Sequence, residues 1–340
     1  MADSEKPELD PDFREDDRLF HYTSPQGIYG ILESGCLWAT HFRFLNDSRE
    51  VFRARTALTK IVYKAVHQRL VAAKINREII VDGDVTIKEE ANRQSAYLVD
   101  TMYKAALGSP EDDILGIGHP YVFSTFCCSP EVAEDFNNGA LVHWGAYARG
   151  GGYAIQLNPH KLHKALMKES AARGGLGFIS RKVAYLANDE FPKDFSEWID
   201  TIANSAVEMS SAIIRQGGLE NLDLGKLLGP FLSVICSSKD PFFAPEKEAR
   251  ITIFHPLNAD KFPAAPHDVH IRHTGAIAIP YVKILDGFLL GESCPIDRII
   301  IGPHPDYERR QIALTSYLRS KKLDFIEVAQ STVPYVTQLS

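Results

Sequence analysis

Glu246 and Glu248 flank Lys247 just before an apolar alternating run, Ala249-Arg250-Ile251-Thr252-Ile253. If the extended chain begins at Glu246, residues two apart share a face and the two carboxylates stand together. Carboxylates held close raise each other's pKa and can divide acid, base and electrostatic work. The same residues would equally make a solvated edge, with Lys247 and Arg250 as counter-charges. Two more groups complete the constellation: His21-Tyr22-Thr23 early in the chain, and Tyr153 in the middle.

Other chemistry-bearing residues fit their patterns less well. Cys127-Cys128 offers a thiol nucleophile with His143 as base. Adjacent residues on a strand point to opposite faces, so at most one cysteine could serve, and small thiols also fill cores. His267, His270 and His273 recur every three residues, but β-branched neighbours predict an extended chain on which such positions alternate faces, so no metal site is expected. His160 and His163 have no obvious third ligand. Gly150-Gly151-Gly152 precedes a strand, whereas a phosphate-cradling loop opens a helix. A tight turn, or a close backbone approach to a ligand, accounts for it.

The elements that must position these groups are legible in residues 19–47. Leu19 to Tyr22 reads as a strand ending at His21, where a side chain can face a cleft. Thr23 or Ser24 caps a helix with Pro25 at its first position. Ile28, Ile31 and Leu32 build its buried face, and Gly35 ends it in the left-handed region. Cys36-Leu37-Trp38 starts a second strand, and Asn46-Asp47 predicts a structural turn. Helices are expected near 49–74 and 87–107, an inserted pair, and again across 195–236. Buried strands are expected at Tyr121–Cys127 and Tyr153–Leu157, with Trp144 and Tyr147 on a short helix between them. Further strands are expected at 182–186, 249–254, 298–301 and 325–329. Without regular βαβ spacing, an α+β fold follows, with small mixed or mainly antiparallel sheets. Residues 1–17 are acidic and predict a flexible arm, and 18–340 a single domain with helical insertions near 48–108 and 192–236.

The chain has 340 residues and a net charge of −7, which argues against broad electrostatic binding of nucleic acid. No apolar run has membrane-helix length and no secretory pattern opens the chain, so no membrane partner is expected. Five irregularly spaced cysteines fit reduced thiols and a cytoplasmic setting.

Several blocks carry a resemblance: the aromatic-His-Tyr-Thr-Ser strand, the Ile-Leu-x-x-Gly helix and Leu-Asn-Asp turn, FSTFCCSP (123–130), VHWGAYARGGGYAIQL (142–157), FFAPEKEARI (242–251), IIIGP (299–303) and STVPY (331–335). In this order they resemble the bacterial domain-of-unknown-function family 2971 over nearly the whole chain, although Val336 stands where that pattern leads one to expect arginine. More distantly, the His-Tyr-Thr strand before the helix resembles the first motif of the ADP-ribosyltransferase fold. That resemblance implies a split-sheet core binding NAD as substrate, and a bacterial toxin, defence effector or modifying enzyme. It implies that His21 holds a ribose and that Tyr22 and Thr23 lie at the cofactor site. Tyr147, Tyr153 or Trp144 would stack on nicotinamide. Glu248 would be the catalytic carboxylate, with Glu246 next, and the acceptor would be protein or nucleic acid. A non-catalytic nucleotide or nucleic-acid binding module and a two-carboxylate hydrolase are the alternatives.

Overall fold

The computed structural model describes residues 12–45, 50–78, 86–107, 119–148, 151–175, 177–187, 190–214, 225–255, 267–274, 276–287, 289–290 and 293–334. The first unit forms as its local signals dictate: β1 (Arg18–Thr23), α1 (Pro25–Ser34) and β2 (Leu37–His41). Ser24 Oγ accepts from the Gly27 N–H, Pro25 opens α1, and Ile28, Ile31 and Leu32 are buried. Gly35 closes the helix at φ 66°, a conformation that costs glycine little. The turn expected at Asn46-Asp47 lies outside the described residues, as does Tyr335.

A helical pair follows a short turn of helix, α2 (Glu50–Arg53), and consists of α3 (Arg55–Ile75) and α4 (Ile87–Leu107). The long strand β3 (His119–Cys128) leads to α5 (Ala133–Asn138), α6 (Leu141–Tyr147), β4 (Tyr153–Leu157) and α7 (Pro159–Ala172). Then come β5 (Phe178–Lys182), β6 (Ala184–Tyr185), α8 (Ser196–Ile214), α9 (Gly225–Cys236), β7 (Ser238–Lys239) and β8 (Glu248–His255). The hairpin β9 (Val269–Thr274) and β10 (Ile277–Ile284) precedes β11 (Ile296–Ile301), α10 (Tyr307–Ser320) and β12 (Glu327–Gln330). The two helical insertions are one body: α3, α4, α8 and α9 share an apolar core that includes Leu58, Val62, Leu98, Ile202 and Phe231.

The fold is α+β with a mainly antiparallel open sheet, ordered β12-β11-β4-β1-β3-β2-β10-β9, and β8 and β5 continue from β3. The arrangement around β3 positions everything else. β8 pairs along β3 from His119 to Phe126 and so takes one edge. A strand has two edges, so β1 and β2 must share the other. β1 holds its end, through Phe126, Cys127 and Cys128. β2 holds its beginning, through Tyr121 and Val122. Between those pairings β1 leans away onto β4 and β2 onto β10, and the sheet splits beside Phe123, Ser124 and Thr125.

One expectation is corrected at the N-terminus. Residues 12–17 are no loose arm: Phe13 and Asp17 are buried. Asp17 accepts from Ser129 Oγ and from Lys182 Nζ (3.2 Å). Burial opposes its ionisation, but these hydrogen bonds and the Arg14 N–H hold its carboxyl down at about 2. Residues 1–11 lie outside the described residues.

Candidate functional site

A cavity of about 460 Å³ opens where the sheet splits. β1 contributes His21, Tyr22 and Thr23, the start of α1 Ser24 and Gln26, and β2 Trp38 and Thr40. The floor is Phe123, Ser124 and Phe126 of β3. The far wall is Tyr147, Lys239, Glu248 and Arg250, and β9 adds Arg272 and His273. Among the described residues, no helix is long and apolar enough to cross a membrane.

His21 sits at the fork. Its Nδ1 lies 3.0 Å from the Ser124 carbonyl, in the stretch of β3 that neither β1 nor β2 pairs. A carbonyl only accepts, so Nδ1 carries the proton and Nε2 is the acceptor of the neutral ring. The imidazole stacks on Phe123, ring centres 4.4 Å apart. Burial, with a smaller push from the Arg272 charge, outweighs the Ser124 hydrogen bond and lowers the His21 pKa to about 4. At neutral pH the ring is uncharged and offers Nε2 to a hydroxyl or N–H donor.

The far wall is a buried charge network. Lys239 Nζ donates to Glu246 Oε2 (2.7 Å) and to Glu248 Oε2 (2.8 Å). Arg250 grips Glu248 from its other side, Nε to Oε1 at 2.7 Å and Nη2 to Oε2 at 3.0 Å. Arg250 Nη1 also donates to the Cys236 carbonyl, and Tyr147 Oη to Glu246 Oε1. Glu248, Arg250 and Lys239 are each under 5% exposed, which overturns the picture of a solvated edge. Burial disfavours the Glu248 anion, but Arg250 and Lys239 more than offset it and hold the carboxyl at about 2. The expected mutual rise in pKa is therefore reversed for Glu248, because a lysine stands between the carboxylates and removes their repulsion.

Glu246 is also not on the strand. It ends a 3-10 turn over Pro241–Glu246, and Lys247 at φ 49° breaks the extended run before β8 begins at Glu248. Tertiary structure, not strand alternation, brings the two carboxylates onto one ammonium.

Two of the expected aromatic stackers are core residues. Trp144 is buried edge-on against Tyr22, and its Nε1 donates to the Asn138 carbonyl. Its ring fits only because Gly139 and Gly302 carry no side chain, since a Cβ there would come within 2.9 Å and 2.8 Å of it. Tyr153 is covered by Tyr29 of α1, 6.3 Å between ring centres. Tyr147 does line the cavity. Tyr22 lines it with its ring, while its hydroxyl accepts from the Ala140 N–H.

The remaining patterns resolve as structural. A Cβ on Gly152 would meet the Thr23 carbonyl at 2.1 Å, so the close approach is to β1 rather than to a ligand. Gly150 lies outside the described residues. Burial pushes Cys127 up to about 11 and Cys128 up to about 12, and His143 down to about 4, opposite to an activated thiolate pair. His267 is buried on Glu169 (3.2 Å), His270 lies beside Tyr281, and only His273 reaches the cavity. No group of three or more His, Cys, Asp or Glu side chains able to hold a metal occurs among the described residues.

Lys239 and Arg272 are the functional candidates that sequence reasoning missed. Lys239 follows an apolar helix, and Arg272 lies between Ile271 and His273 on an alternating strand. Neither pattern announces a cavity. Compared with known proteins, the chain matches no family model, no curated protein and no solved structure.

Proposed function

We propose that the chain is an ADP-ribosyltransferase-like enzyme or NAD glycohydrolase whose NAD site is the cavity at the fork of the sheet. One observation carries the reading: His21 and Glu248, far apart in sequence and on different strands, line the same cavity. His21 Nε2 is set to accept from a ribose hydroxyl, and Glu248 is a permanent anion at the opposite wall. In the reaction the C–N glycosidic bond of the nicotinamide riboside breaks, and its electron pair neutralises the pyridinium nitrogen. Nicotinamide leaves uncharged, and the ribose carries the positive charge until an acceptor or water adds. A fixed carboxylate stabilises that charge as it develops. Of the three aromatic candidates for stacking on nicotinamide, Tyr147 is the one that lines the cavity. Protein and nucleic acid both remain acceptor classes, and a bacterial toxin or defence effector is the role this chemistry would suit.

A second reading is a non-catalytic nucleotide-binding module. The observation favouring it is that Lys239 and Arg250 balance Glu246 and Glu248, which leaves less negative charge for a transition state. Incubating the full chain with NAD separates the two. The enzyme releases nicotinamide, and Glu248→Gln lowers turnover roughly 10²–10³-fold with NAD affinity little changed. His21→Ala weakens NAD binding itself. NAD binding without nicotinamide release supports the module, and wild type that does neither ends both readings for NAD.

A further inference from the structure

Among the described residues, Arg272 is a cation of this cavity that no carboxylate balances. On the far wall two cations, Lys239 and Arg250, face two carboxylates, Glu246 and Glu248. Arg272 comes from the other side, from β9, and donates through Nη2 to Thr40 Oγ1 at 2.9 Å. No carboxylate among the described residues lies within ion-pair distance of it. Thr40 is a neutral acceptor and Tyr281 lies 6.0 Å from the guanidinium, so neither supplies a negative charge. The guanidinium is more than half removed from water, which disfavours its charge and lowers its pKa. A partly desolvated guanidinium with no carboxylate beside it among the described residues, in a cavity of ligand size, is arranged for an anion that arrives with the ligand.

The neighbouring group narrows the class. His21 presents Nε2 as an acceptor, because Nδ1 is committed to the Ser124 carbonyl. An acceptor repels an anion and welcomes a hydroxyl. A ligand satisfying both residues carries a hydroxyl for His21 and an anionic group for Arg272. The planar guanidinium fork matches phosphate oxygens in pairs.

We propose that Arg272 is a phosphate-binding, specificity-determining residue, and that the cavity selects phosphorylated sugars or nucleotides over their unphosphorylated counterparts. The inference deepens the nucleotide reading of the same cavity, and it does not require that any bond be broken.

Calorimetric titration of the full chain with ADP-ribose, adenosine and inorganic pyrophosphate tests it, on wild type, Arg272→Gln and Arg272→Lys. Wild type should bind ADP-ribose at least about tenfold tighter than adenosine, the scale of one charge-assisted hydrogen bond. Pyrophosphate should compete with ADP-ribose, and the advantage should shrink as ionic strength rises. Arg272→Gln should erase the advantage by weakening ADP-ribose far more than adenosine, while Arg272→Lys, with the charge but not the fork, should keep part of it. Equal affinity for the two ligands, no binding of either, or a tenfold ratio that survives in Arg272→Gln overturns the proposal. If Arg272→Gln does not fold, the salt dependence of the wild type and the Arg272→Lys ratio decide. A phosphate advantage in a protein that never releases nicotinamide keeps this inference and removes the transferase.

Discussion

The two sides of the cavity treat charge in opposite ways. The Lys239–Glu246–Glu248–Arg250 side is closed: each charge has an opposite neighbour, and three of the four side chains are almost fully buried. The His21–Arg272 side is open: among the described residues, a neutral imidazole with one unused acceptor stands near a cation that no carboxylate pairs. A closed network is anchored by the fold and changes little when a ligand arrives. An open one is incomplete until a ligand completes it. The contrast separates two kinds of buried charge, one whose partners the fold supplies and one whose partner a ligand would supply.

The largest expected effect of breaking this contrast falls on the closed side. Glu248→Gln removes the carboxylate that Arg250 and Lys239 share. Removing one partner of a buried ion pair costs about 3–5 kcal/mol. Urea denaturation of wild type and variant measures it. A loss under about 1 kcal/mol would mean that water or a rearranged side chain reaches Arg250, and the side would not be closed.

Acid sharpens the comparison, because the two sides titrate in different windows. Glu248 falls from an ordinary value of 4.5 to about 2 on folding. A depressed carboxylate contributes stability that is present above its unfolded pKa and lost as pH falls through the folded one, here from about 4.5 to about 2. His21 falls from 6.5 to about 4. The unfolded chain then binds the extra proton first, so stability is full above 6.5 and declines as pH falls toward 4. His143, also lowered to about 4, adds to that limb. His21→Asn keeps a donor for the Ser124 carbonyl and cannot titrate, so it should make the upper limb shallower, down to the His143 share, and leave the lower one unchanged. Melting temperature against pH checks both.

What was legible in the sequence follows the same division between local and assembled features. The β1–α1–β2 unit was readable because each instruction acts within a few residues: Ser24 caps, Pro25 opens, Gly35 closes, and Ile28, Ile31 and Leu32 face inward. That His21 faces a cleft was readable too, although the strand runs past it to Thr23 rather than ending there. The helices were readable from period, but nothing local said that the insertions pack into one body. Glu246 was misplaced because Lys247 takes a left-handed conformation that residue type does not announce. Trp144 and Tyr153 were misplaced because ring chemistry suits a core as well as a ligand, and only the covering residues, Tyr22 and Tyr29, decide. Lys239 and Arg272 were invisible because their roles exist only after β7, β8 and β9 assemble around β3.

A smaller effect probes the link between the closed network and the aromatic wall. Tyr147 Oη donates to Glu246 Oε1 at 2.8 Å. Tyr147→Phe keeps the ring that lines the cavity and removes that bond. Stability should fall by about 1 kcal/mol, the net worth of one hydrogen bond, with NAD affinity held because the ring remains. A drop in affinity without a drop in stability would move the hydroxyl from the network to the ligand.

The smallest expected change in stability is on the open side. Arg272→Gln removes a partly desolvated charge that no carboxylate among the described residues balances, together with one neutral hydrogen bond to Thr40 Oγ1. The lost cation–π contact is weak at 6.0 Å. Relief of desolvation opposes the lost packing and hydrogen bond, so the effects should cancel to within about 0.5 kcal/mol, or the variant should gain. This is the signature of a residue kept for its ligand rather than for the fold. Denaturation in the absence of ligand reads it directly, and the same titration repeated with ADP-ribose should favour wild type over the variant. A loss near that of Glu248→Gln would show that Arg272 is anchored like Arg250, and the distinction between the two sides would fall.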